Sequence, residues 1–216
     1  MDILQILFFS GLAVFLAVRL YMALGKPTGR THEDHMREQR ERAAANAPAG
    51  PVAAPVAEPA PAPSYAGPAG EGLGQIARAD RNFDPDTFVK GARAAYEMIV
   101  TAYAKGDRDA LRRLLSERVM GAYDQTISER EAAGQTMVTE VERIKRAEIV
   151  EASLNDNRAR VRVAFSAELA SEVRDPEGRA VQGDLNTLRT VDEIWSFERD
   201  VSSEDPNWKL AGVKPA

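Results

Sequence analysis

The chain of 216 residues carries 28 Lys and Arg against 33 Asp and Glu, for a net charge of −5, and has no Cys. That length holds one ordinary domain with attachments, and the missing thiols remove disulfides, thiolate zinc sites, iron–sulfur ligation and thiol nucleophiles. An acidic balance gives no global attraction for phosphate backbones, so no nucleic-acid partner is expected.

Residues 1–25 read as a transmembrane anchor. From Ile3 to Val18 only Gln5 and Ser10 are polar, and the apolar run resumes after Arg19 to reach Leu24. These 22 positions would form a helix of about 33 Å, enough to cross about 30 Å of hydrocarbon. Arg19 lies close enough to the end to snorkel to the headgroups. A cleaved signal peptide needs a basic start and a small-residue cleavage site, whereas this chain opens Met1-Asp2 and leaves the apolar run through Gly25-Lys26-Pro27. Arg19, Lys26, Arg30, Arg37, Arg40 and Arg42 all follow or end the run. The positive-inside rule therefore predicts a single-pass inner-membrane protein with its C-terminal bulk in the cytoplasm, or in the matrix if the membrane is mitochondrial.

Residues 26–79 read as a charged juxtamembrane helix and an Ala/Pro-rich disordered linker. Thr31 to Arg42 opens with a capping Thr and acidic residues and turns basic, which complements a helix dipole, but it has no apolar stripe. His32 and His35 lack the spacing of a zinc protease and have no further ligands, so no metal is expected. From Ala43 to Ala79, Pro48, Pro51, Pro55, Pro59, Pro61, Pro63 and Pro68 interrupt a segment poor in bulky apolar residues. Such a stretch cannot bury enough surface to offset its ordering entropy. It would span about 33 Å as a coil and up to about 110 Å as polyproline II. Gly70-Glu71-Gly72-Leu73-Gly74 superficially matches a phosphate-binding loop, but no strand precedes it, so it reads as part of the linker.

Residues 80–216 form the expected folded domain. Asp84-Pro85 is an N-cap followed by a first-turn Pro, and Phe88, Ala92, Tyr96, Ile99 and Tyr103 recur at helical spacing until Gly106. Asp107 opens a short helix with Leu111, Leu114 and Leu115 inward, and Ser116 caps another with Val119, Tyr123 and Ile127 that runs to Gly134. The period then becomes alternating. Val138, Ile144, Ile149 and Val150 make an imperfect strand closed by Asn155-Asp156-Asn157. Ala159, Val161, Val163, Phe165, Ala167 and Leu169 make a clean one, with Arg158, Arg160, Arg162, Ser166 and Glu168 on the other face. Asp175-Pro176-Glu177-Gly178 turns the chain into a strand ending near Asp200, and Asp205-Pro206-Asn207 turns it into Trp208-Lys209-Leu210. The expectation is an α+β domain, with N-terminal helices packed on a curved antiparallel sheet.

Phe88 to Asp107 (FVKGARAAYEMIVTAYAKGD), Leu111 to Ser116 (LRRLLS), Val191 to Asp200 (VDEIWSFERD) and Asp205 to Leu210 (DPNWKL) together resemble the Tim forty-four domain family. That family includes the tether of the mitochondrial import motor and its bacterial, TimA-type relatives. The resemblance covers essentially all of residues 80–216. It implies a cone-shaped fold akin to nuclear transport factor two, an apolar pocket between sheet and helices, membrane association, and an adaptor role toward a translocon, a chaperone or membrane-protein clients.

Both histidines precede the folded domain, so His-dependent acid–base chemistry there is excluded. A buried carboxyl group beside a tyrosine is a competent acid, and Asp192 and Glu193 near Trp195 are the candidates for an isomerase-like site. No constellation of nucleophile, base and orienting group is apparent, so neither an enzyme nor a cofactor is expected. Phe165, Trp195, Phe197 and Trp208 are either plain core or, as the resemblance implies, the lining of a pocket for a lipid tail or an apolar peptide. Arg158, Arg160 and Arg162 form a basic row. It either meets anionic headgroups or an acidic partner, or is neutralised by carboxylates on the next strand.

Overall fold

The computed structural model describes residues 65–216. The expected anchor over residues 1–25, the juxtamembrane helix and the linker up to residue 64 lie outside the described residues. No helix among the described residues is long and apolar enough to cross a membrane.

The first element overturns part of the linker expectation. Gly70–Ala79 is a helix, α1, with Leu73, Ile76 and Ala77 buried in the core. Three glycines hid it, because each weakens a helix by about 1 kcal/mol relative to alanine. Close backbone approach explains two of them, Gly72 against the sheet and Gly70 against the segment leading into the helix. A Cβ on Gly72 would lie 1.9 Å from the carbonyl oxygen of Ala152, and one on Gly70 would lie 2.1 Å from that of Tyr65. Burial of Leu73 and Ile76 supplies about 1.5–3 kcal/mol each, which roughly offsets the glycine cost.

Helix α2 (Pro85–Lys105) follows as expected: Asp84 accepts from the Thr87 amide at 2.8 Å, and Gly106 closes the helix at φ +71. Its buried stripe of Phe88, Ala92, Tyr96 and Ile99 faces the sheet. Helix α3 (Arg108–Leu114) is capped by Asp107, and α4 (Glu117–Ala132) by Ser116. Arg108 ties these two together through Asp124 at 2.6 Å and Glu131 at 2.8 Å. Arg130 donates to the carbonyl oxygens of Tyr103 and Ala104, completing the end of α2.

Four antiparallel strands form one meander in the order β1 (Thr136–Asn155), β2 (Arg158–Arg174), β3 (Ala180–Asp200) and β4 (Lys209–Pro215). The helices cover one face, which establishes the α+β architecture. Strand β1 explains why its alternation looked imperfect. Register shifts at Val141/Arg143, Ile144/Arg146 and Ile149/Glu151 insert Glu142, Lys145 and Val150 as extra residues. Each insertion resets the phase, so the helix-facing series runs Val141, Ile144, Ala147, Ile149, Ala152. Val138 and Val150 fall outside this series and stand 38% and 39% exposed. The bulges bend the strand toward the helices, and Arg93 of α2 donates to the Ile144 carbonyl at 2.9 Å, at one of these shifts.

Candidate functional site

The four expected pocket residues are brought together, packed ring on ring. Phe165 is fully enclosed, and Trp195 and Phe197 are each 2% exposed. Cross-strand pairing of Val161 with Phe197 and Val163 with Trp195 directs both aromatic side chains of β3 to the helix-covered face. Trp195 lies 4.6 Å from Tyr96, Phe165 lies 4.9 Å from the same ring, and Trp208 lies 4.9 Å from Phe88, all between ring centroids. Phe88 meets Phe197 edge-on at 5.8 Å and links the two halves. The aromatic residues thus fill the space between α2 and the sheet.

An opening lies elsewhere, on the outer side of α2. A groove of about 570 Å³ runs between α2 and α3, with Met98, Ala102, Ala110 and Leu114 as its apolar lining and Glu97, Lys105, Asp107 and Arg113 as its charged residues. Met98 is 49% exposed. This groove was missed in the sequence, although Met98 and Leu114 carried a signal. Met98 falls off the buried stripe of α2, and Leu114 is only half-buried while Leu111 and Leu115 beside it are enclosed.

Glu193 sits among the aromatic residues, whereas Asp192 is exposed on the opposite face. The Trp195 indole N–H donates to Glu193 Oε2 at 2.9 Å. Burial pushes the carboxyl pKa up, and the Trp195 bond opposes this only in part. The same surroundings push the Tyr96 and Tyr123 hydroxyls up, chiefly by burial and then by the Glu193 charge. An acid pKa raised on folding contributes stability while the group is protonated, and that contribution fades as pH climbs from the ordinary 4.5 through the raised value. Glu193→Gln should therefore flatten the pH dependence of stability above 4.5 and stabilise the protein most at neutral and alkaline pH. Urea midpoints of both proteins across pH 4 to about 8 would check this; parallel curves would remove Glu193 as the titrating group.

The basic row is engaged by carboxylates. Arg160 Nε donates to Glu198 at 2.8 Å from the adjacent strand, and Arg162 bonds Glu151 across the β1–β2 pair at 2.5 Å. Arg158 lies opposite Asp200, whose pKa is lowered by its bonds to Ser202 and, to a smaller degree, by the Arg158 charge. The neutralised alternative describes these contacts, for the reason that antiparallel pairing sets Glu198 and Asp200 directly across from Arg160 and Arg158. Among the described residues, no group of three or more His, Asp or Glu is placed to hold a metal ion.

A helical layer packed on a bulged four-stranded meander, with tryptophans at positions 195 and 208, defines a recognisable class of domain. The Tim44-like domain matches residues 69–215, and the chain belongs to that family. Human mitochondrial import inner membrane translocase subunit TIM44 is 24% identical over 146 residues, covering 66% of this chain and 32% of the relative. The chain thus aligns with about a third of that protein's length. Among solved structures, the intermembrane-space region of the chloroplast protein ARC6 has a TM-score of 0.44 and 15% identity, over 62% of this chain and 97% of that one. A designed β-sheet protein has a TM-score of 0.29 and 16% identity, over 61% of this chain and 88% of the design.

Proposed function

We propose that the chain is a membrane-tethered adaptor, and not an enzyme, whose Tim44-like domain recruits protein partners at the inner-membrane surface for protein translocation or membrane-protein assembly. The observation that carries this reading is the family match across residues 69–215, supported by the human relative named as a translocase subunit of the mitochondrial inner membrane. The apolar run from Ile3 to Leu24 and the basic residues after it supply the tether and its orientation, with the domain on the cytoplasmic or matrix side. Confinement by a linker of this length gives effective concentrations up to about the millimolar range, so weak contacts suffice. The partner would be a translocon, a chaperone or a membrane-protein client.

The test is gentle extraction of tagged full-length protein from cross-linked membranes, compared with a variant lacking Ile3 to Leu24. A set of translocation or assembly proteins recovered only with the anchor is the expected result. Recovery of the same proteins without the anchor, or of none, would sink the tethered-adaptor reading.

A second reading, a module for lipid or another small apolar ligand, is favoured by the α2–α3 groove, whose volume of about 570 Å³ falls in the usual ligand range. The closed packing of Phe165, Trp195 and Phe197 directs this reading to the groove. Met98→Glu places a charge on the groove's exposed apolar residue, next to Glu97, and should reduce co-purifying apolar ligand at least about tenfold, given the cost of desolvating a carboxylate under an apolar ligand. Native mass spectrometry of both proteins would measure it, and equal occupancy would exclude the groove.

A further inference from the structure

We propose that α1 is a conditional helix, helical only while Gly72 is seated on β1 and Leu73 and Ile76 are in the core, and that its release lengthens the connection between the domain and the residues before it. Three observations converge. The helix carries Gly70, Gly72 and Gly74 within its ten residues, so its intrinsic helicity is poor. Its N-cap is Ala69, which provides no side-chain hydrogen bond, in contrast to the Asp84, Asp107 and Ser116 caps of the other three helices. A ten-residue segment is also shorter than an isolated helix needs to persist in water.

Docking supplies what the local sequence lacks. Gly72 rests directly on the Ala152 carbonyl, a contact that any side chain at this position would block. Leu73, Ile76 and Ala77 enter the core. At the far end Asp80 pairs with Arg199 of β3 at 2.8 Å, both side chains nearly enclosed. Helicity of α1 and its seating on the sheet are therefore one event, held at one end by the glycine contact and at the other by the ion pair. Segments of this kind open at lower free energy than the core they rest on. As a helix the ten residues of α1 span about 15 Å, and released and extended they span up to about 35 Å. Undocking would extend the reach of the domain by about 20 Å without unfolding the sheet.

The experiment is hydrogen exchange with mass spectrometry on the full-length protein. Amides of α1 are expected to exchange at least about tenfold faster than those of β2 in the unmodified chain. Gly72→Ala should raise exchange across α1 by at least a further tenfold or so, with β2 and β3 still the slower to exchange, because the added Cβ opposes docking while favouring the helix itself. Gly91→Ala is the control, since a Cβ there meets nothing within 4 Å, and it should leave α1 exchange as it was. If Gly72→Ala does not fold, Asp80→Asn loosens the other end and should likewise raise α1 exchange, with β2 remaining the more protected. Equal protection of α1 and β2 in the unmodified chain would overturn the proposal. So would a folded Gly72→Ala or Asp80→Asn protein whose α1 exchanges as it does in the unmodified chain.

Discussion

Asp80→Ala is expected to lower the unfolding free energy by about 3–5 kcal/mol, the range for removing one partner of a buried ion pair. The Asp80 and Arg199 side chains are 9% and 13% exposed, so truncation leaves an arginine charge largely out of water and without its ion-pair partner, with only the longer-range charge of Asp205 nearby. Arg199 also lies over the Trp208 ring, 5.9 Å from its centroid, and cannot swing out without disturbing that aromatic packing. Asp80→Asn separates two contributions, because Asp80 Oδ1 also accepts from the Asn82 amide at 3.0 Å and asparagine preserves that turn. Asp80 Oδ2 and Arg199 Nε find no well-aligned hydrogen-bond partner among the described residues. Solvation lost on folding is thus incompletely replaced. Combining Asp80→Leu with Arg199→Met should accordingly recover most of the loss. Urea unfolding of the single and double variants measures both effects; an Asp80→Ala protein within about 1 kcal/mol of the parent would show that the pair is not isolated from water.

Phe165→Ala should cost about 3–5 kcal/mol, as for other buried aromatic truncations. Its ring is fully enclosed, lies 4.9 Å from Tyr96 and 5.6 Å from Trp195, and sits on the central part of β2 between Ala147 and Glu193 on the neighbouring strands. None of these neighbours can swing into the vacated space without giving up its own packing. The size of the loss also bears on whether this cluster is a core or a pocket. A pocket wall already borders empty space, so its truncation forfeits few contacts and should cost under about 1.5 kcal/mol, as conservative core changes do. Chemical denaturation of Phe165→Ala decides between these magnitudes.

Elements with local signals were legible in the sequence. Asp84-Pro85, Asp107 and Ser116 each mark a helix start by supplying an acceptor to otherwise unpaired amides, and the structure has helices at all three places. Strand β2 alternates between buried and part-exposed residues from Ala159 to Val163, so its helix-facing side could be read directly there, whereas from Val163 to Ala167 both faces are buried. Two kinds of information were not local. Helix α1 needs glycine at position 72 because of the carbonyl of Ala152, eighty residues further along, and nothing in the Gly70 to Gly74 stretch reports that contact. The three insertions in β1 are defined by which residue of β2 lies opposite, so the switch from Val141 to Ile144 looks like noise until the strands are paired. The candidate site divides in the same way. Tryptophan and phenylalanine at alternating positions 195 and 197 were visible as one face, whereas the groove depends on how α2 and α3 fold back around Gly106.

The bulges of β1 have a consequence for behaviour in a crowded compartment. This strand is twenty residues long and stands at the outside of the sheet, where a regular backbone would offer a template for another chain. Its three insertions break that template into short pieces, and two of the inserted residues are Glu142 and Lys145. A second copy approaching in register would meet an interrupted ladder and exposed charges that pairing would have to desolvate. The same irregularity that curves the sheet over its helices therefore guards the domain against strand-to-strand aggregation, a safeguard of value to proteins concentrated on a surface.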